Sequence, residues 1–91
     1  MCWVTKLEQN WLSTSHKDKH KRSKYCMEWL THHNVMYFTS NNGIHIYFDW
    51  YYKGETVTVN IWPTTCKMRI DNRSINGTSL IIQELLTLIE G

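Results

Sequence analysis

Hydrophobic periodicity divides the sequence into a helical first third, a strand-rich middle and a helical end, which predicts an α+β fold of two layers. Three observations carry the prediction. Apolar residues recur at three- and four-residue spacing up to His33, alternate with polar residues from Val35 to Trp62, and return to helical spacing after Leu80. The expected architecture is an N-terminal helix or helices, a three- to four-stranded antiparallel sheet and a C-terminal helix, with the helices covering one sheet face.

The elements follow in order. Trp3, Leu7 and Trp11, with Val4 and Leu12 alongside, mark a first helix that Ser13-Thr14-Ser15 interrupts. Ser15 and Asp18 have capping-box spacing, so a second helix is expected to start near residue 16, with Tyr25, Cys26, Trp29, Leu30 and His33 as its apolar stripe. Val35-Met36-Tyr37-Phe38 reads as a first strand, and Ser40-Asn41-Asn42-Gly43 as a hairpin turn. Ile44, Ile46, Phe48 and Trp50 then alternate with His45, Tyr47, Asp49 and Tyr51. After a turn at Lys53-Gly54, Val57, Val59 and Ile61 alternate with Thr58, Asn60 and Trp62, and Pro63 stops the ladder. Lys67 to Ile70 has room for a short fourth strand, with Met68 and Ile70 inward. Asn76 to Ser79 forms a loop before a helix over Leu80 to Glu90, which Gly91 terminates. No repeat, low-complexity tract or linker divides the 91 residues, so one domain over 1–91 is expected, with 1–15 a separate short helix or arm.

Composition excludes several classes. At 42% apolar and 20% charged the chain has enough to bury for a globular fold. No apolar run approaches the ~20 residues that span a bilayer, and Met1 to Lys6 lacks the flank and core of a signal peptide. A soluble, cytoplasmic protein with no membrane partner is expected, and Asn72 and Asn76, which match the glycosylation pattern, are then read as chance. Cys2, Cys26 and Cys66 have no paired spacing, which favours reduced thiols.

Charge is the first functional signal. The net of +2 conceals a segment, 16–24, that holds five of the ten Lys/Arg against one of the eight acids. Lys17, Lys19, Lys21, Arg22 and Lys24 there, with Lys67, Arg69 and Arg73 further on, are the candidate phosphate-binding residues. Separated blocks of charge make a directional field that steers a protein onto a polyanion. Basic residues in the first turns of a helix also oppose its dipole, so either that end frays or an external anion sits on it.

Aromatics are the second signal. Five Trp, five Tyr and two Phe make 13% of the chain, more than a small core can hide. If the aliphatic sheet face is buried, His45, Tyr47, Tyr51 and Trp62 point outward as a group. Such a face either stacks unpaired bases or meets a protein partner or a second copy of the chain.

Other chemistries are weaker. His16 and His20 stand one turn apart, with His32 and His33 further along, but a zinc site needs four ligands and no C-x-x-C is present, so no metal and no cofactor are expected. A magnesium nuclease built on Asp49, Glu55 and Lys67 lacks an acid-x-Lys strand end. Cys26 or Cys66 with His33 or His45 lacks the context of a nucleophile–base pair. The expectation is that the protein is not an enzyme.

Val59-Asn60-Ile61-Trp62-Pro63-Thr64-Thr65-Cys66-Lys67-Met68-Arg69, followed by a Gly-containing loop and a Leu/Ile helix, resembles small phage-encoded proteins with a strand ending in Trp-Pro-Thr-Thr-Gly-Lys-Trp. Met27-Glu28-Trp29-Leu30 and Gly43-Ile44-His45-Ile46 fit the same plan, so the resemblance covers roughly residues 25–90. The sequence departs at Cys66, where the pattern has Gly, and at Met68, where it has Trp. The basic clusters and aromatics point to RNA as the ligand, and the resemblance implies a phage protein that antagonises a host defence such as a toxin–antitoxin ribonuclease. The alternative is a protein–protein inhibitor or homodimeric module using the aromatic face. The element order also resembles a double-stranded-RNA-binding domain, without that domain's Lys-rich start to the final helix.

Overall fold

A T-x-x-E pattern opens the first helix. The Thr5 hydroxyl accepts from the Glu8 amide at 3.3 Å, and the Glu8 carboxylate accepts from the Thr5 amide at 2.8 Å, a complete capping box. The computed structural model describes residues 5–90, so Trp3, Val4 and Gly91 lie outside the described residues, as does Cys2. Helix α1 (Lys6–Leu12) is too short to persist alone and is held by packing against the two other helices. Trp11 is buried, and Glu8, only 1% exposed, accepts the Trp29 indole N–H at 2.6 Å. Residues 5–15 thus dock on the domain and are not a free arm.

A 3-10 turn (His16–Asp18) leads into α2 (Lys19–His32). The capping box expected at Ser15 and Asp18 does not form, because the Ser15 hydroxyl donates to the Asp18 carboxylate at 3.2 Å and neither caps an amide. α2 buries Cys26, Trp29 and Leu30. It ends in a Schellman motif on Asn34, whose φ is 61°; the Val35 amide donates to the Leu30 carbonyl and the Asn34 amide to Thr31. That motif consumes Val35 as a buried anchor, so the first strand starts later than the sequence suggests.

The strands are β1 (Phe38–Ser40), β2 (His45–Tyr52), β3 (Glu55–Trp62), β4 (Lys67–Ile70) and β5 (Arg73–Asn76), in one antiparallel sheet of order β1-β2-β3-β4-β5. Between β1 and β2 the turn Asn41–Gly43 takes left-handed φ at all three residues. Ile44, expected on the inward strand face, belongs to this turn and is exposed. Lys53 and Gly54 both have positive φ, as a two-residue hairpin connection requires. β5 was not expected: Arg-Ser-Ile-Asn has one apolar residue, Ile75, which pairs with Met68 and is buried. Helix α3 (Thr78–Glu90) follows, starting two residues before the expected Leu80.

Ile46, Phe48, Val59, Ile61, Met68, Ile70 and Ile75 form the inner sheet face. Trp11, Trp29 and Leu30 cover it together with Ile81, Ile82, Leu85 and Leu88 of α3. The radius of gyration, 12.3 Å, agrees with the roughly 12 Å of a compact chain this long. All three helices lie against one face and leave the other open.

Candidate nucleic-acid interface

Directly paired residues share a sheet face, so the register defines what the open side carries. One row runs Phe38, Tyr47, Asn60, Arg69, Ser74 across all five strands. The next holds Ser40 paired with His45, and Trp62 paired with Lys67, which in turn pairs with Asn76. His45 and Trp62 join the two halves of that row, with ring centroids 4.8 Å apart and planes 3° from parallel.

That geometry fixes how the rings stand. Rings lying flat on a sheet would be side by side with well-separated centres, whereas parallel planes at 4.8 Å overlap face to face. His45 and Tyr47 sit at 5.1 Å and Tyr47 and Phe38 at 5.7 Å, tilted by about 30°. Four rings therefore form a cross-strand stack from β1 to β3. The two middle rings, His45 and Tyr47, use their faces within the stack. Trp62, half-buried, ends it on the β4 side, where Lys67 pairs with it. Tyr51 is 72% exposed but stands apart, toward the β2–β3 turn. Of His45, Tyr47, Tyr51 and Trp62, the geometry puts Trp62 in one groove with basic residues.

Hydrogen bonds hold the stack in place. Nε2 of His45 is 2.8 Å from Asn60 Oδ1, and its Nδ1 is 3.0 Å from the Ser40 hydroxyl. The ring protonated on Nε2 satisfies both contacts, donating to Asn60 and accepting from Ser40. His45 thereby backs the indole of Trp62 as a fixed wall.

Lys67 and Arg69 project beside that wall, exposed and without an ion pair or side-chain hydrogen bond among the described residues. With Trp62, Ser74 and Asn76 they line a groove of about 300 Å³. The other basic candidates divide sharply. Lys17, Lys19 and Lys24 are exposed on and before α2, and Lys21 lies 4.0 Å from Asp18. Arg22 is half-buried and donates to the Thr64 carbonyl at 2.8 Å and the Thr14 carbonyl at 3.4 Å, so it ties two loops to α2. Arg73 pairs with Ile70, which puts it on the helix-covered side, where it bonds Glu84. Lys67 and Arg69 thus share a face that Arg73 does not.

The two basic clusters nevertheless meet at one end. The Arg22–Thr64 bond sets the start of α2 against the Pro63–Thr65 turn that precedes Lys67. There the Gly77 amide donates to the Cys66 carbonyl at 2.8 Å and the Thr78 hydroxyl to Cys66 Sγ at 3.4 Å, bringing the start of α3 to the same place. Two positive helix-dipole ends meet here, with Arg22 between α2 and the turn. Glu55 lies at the far turn of β3 and Asp71 bonds Thr58, while Glu90 closes α3 beside His33. Two acids do not follow this separation: Asp18 lies within the basic segment and Asp49 is exposed on the open sheet face.

The remaining chemistries find no constellation. Asp49 accepts from the Thr58 hydroxyl, Lys67 pairs further along β3 with Trp62, and Glu55 sits at the other strand end. Cys26 is fully buried and burial pushes its thiol pKa up, away from reactivity. His16, His20, His32 and His33 join no metal-holding group of three or more His, Cys, Asp or Glu among the described residues. No helix among the described residues is long and apolar enough to cross a membrane. Cys66 has φ 58°, the left-handed conformation that favours glycine, at the position where the resembled pattern has Gly.

The fold and this face define an α+β protein whose sheet is sheathed by helices on one side and presents aromatic and basic residues on the other. Comparison with protein-family models, curated proteins and solved structures finds no match to the chain.

Proposed function

We propose that this is a small RNA-binding protein, without catalytic activity or cofactor, that grips RNA through the open sheet face and the adjoining start of α2. The observation that carries the reading is that Trp62, stacked on His45, lines one groove with Lys67 and Arg69, neither of which has an ion pair among the described residues. Side-chain rings stack exposed bases and cations hold phosphates, and the two needs are met here in one groove. Lys17, Lys19, Lys21 and Lys24 add exposed positive charge along α2 and the turn before it. The proposed biological role is antagonism of a host defence, such as a toxin–antitoxin ribonuclease, by a phage protein acting in the host cytoplasm. That role rests on the resemblance to small phage proteins, among which the RNA-binding toxin inhibitor TifA has about this size and basic character.

Fluorescence anisotropy across a salt series tests the binding. Four or five phosphate contacts on a single strand give a log–log slope of about −3. Absence of binding at low salt contradicts the proposal. A second reading is favoured by one observation: Met36 is 81% exposed and Phe38 57%, on and beside the unpaired edge of β1. Under that reading the aromatic edge docks a host protein or a second copy, and Phe38→Ala abolishes inhibition while RNA affinity stays at zero.

A further inference from the structure

We propose that the groove between Trp62 and β5 holds a single unpaired nucleotide, with its base against the Trp62 indole, its phosphate between Lys67 and Arg69, and its base edge toward Asn76 and Ser74. This rests on the RNA-binding reading and narrows it to the strandedness of the ligand and the residues that contact a base.

The geometry supplies each part. The indole has one face covered by His45 at 4.8 Å, and His45 is itself held from both ring nitrogens, so the wall needs no ordering when a base arrives. On β4 the residue paired with Trp62 is Lys67, and both line the groove. Lys67 and Arg69 are two residues apart on one strand, so their stems emerge on the same face roughly 7 Å from each other. The next strand contributes Asn76 opposite Lys67 and Ser74 opposite Arg69. An amide offers both a donor and an acceptor and a hydroxyl offers either, which suits the polar edge of a base. A groove of about 300 Å³ has room for a base. Bases within a duplex keep their faces inside the helical stack, so only an unpaired nucleotide can use the wall. Phosphate-only binding leaves the indole unused and accepts duplex and single strand alike.

The test measures anisotropy with four labelled probes: a single-stranded RNA, the same strand in a duplex, the strand with abasic sites, and the matching DNA strand. The expected result is tightest binding to intact single-stranded RNA, with about tenfold loss for the abasic strand and for Trp62→Leu. Trp62→Phe should recover most of that loss, and the salt slope should stay unchanged in both variants. If Trp62→Leu fails to fold, the abasic strand with the unaltered protein gives the same answer. Duplex or abasic RNA bound as tightly as the intact strand, with the salt slope present, overturns the nucleotide groove and leaves electrostatic RNA binding standing. DNA bound as well as RNA overturns RNA as the source of the nucleotide. No binding of any probe at low salt overturns both readings together.

Discussion

The basic segment that starts α2 and the basic strand β4 carry like charge in unlike settings. Lys17, Lys19, Lys21 and Lys24 extend into solvent from a helical surface, where long side chains gain a phosphate contact only by giving up rotamer freedom. Lys67 and Arg69 stand on a rigid sheet face, next to an indole backed by a fixed imidazole and two small polar residues. On the proposed reading, the first region supplies attraction at a distance and the second supplies a place. Arginine marks the contrast within each cluster. Arg69 is free, whereas Arg22 and Arg73 are bonded into the fold. Count of charge does not separate these roles, and the position of the acceptors does.

The largest expected effect follows from reversing both sheet cations. Lys67→Glu with Arg69→Glu should weaken single-stranded RNA binding at least a hundredfold, since each charged contact is worth about 1.5–3 kcal/mol. The melting temperature should hardly move, because neither side chain has a bonding partner among the described residues. Arg22→Leu should do the opposite. It removes charged hydrogen bonds to Thr64 and Thr14 and should cost about 2–3 kcal/mol in urea unfolding, with RNA affinity measured below the transition little changed. Replacing Lys17, Lys19, Lys21 and Lys24 by Gln should flatten the salt slope by about 2 and reduce affinity on the order of tenfold, equally for every RNA sequence. A larger loss here than from the sheet reversal breaks the contrast and makes α2 the principal contact. The smallest effect is Arg73→Gln, whose exposed pair with Glu84 is worth under about 1 kcal/mol of stability.

Much of this was visible in the sequence because alternation is a local property. Ile46, Phe48, Val59 and Ile61 against His45, Tyr47, Asn60 and Trp62 assign the two faces without any knowledge of the partners. The Thr5–Glu8 capping box is a local T-x-x-E pattern that the reading of periodicity passed over, whereas the expected Ser15–Asp18 pair caps no amide. What alternation leaves undetermined is side-chain rotation, so it placed Tyr47 and Trp62 on one face without showing that Tyr47 lies inside a ring stack. Phe38 escaped the site because the Schellman motif at Asn34 delays the strand. Ser74 and Asn76 escaped because a four-residue edge strand with one apolar residue has no detectable period. Arg22 bonds a carbonyl 42 residues away, a contact that only tertiary structure creates.

The central claim is that the open sheet face, and not the helical surface, is where RNA docks. Amide and indole chemical shifts recorded while a single-stranded RNA oligomer is titrated into the protein test it most directly. The account predicts that the largest changes fall on Lys67, Arg69, Ser74, Asn76 and the Trp62 indole, with smaller ones at residues 16–24. Changes confined to 16–24, or centred on the helix-side cavity between Tyr52, Ile70 and Leu88, would contradict it.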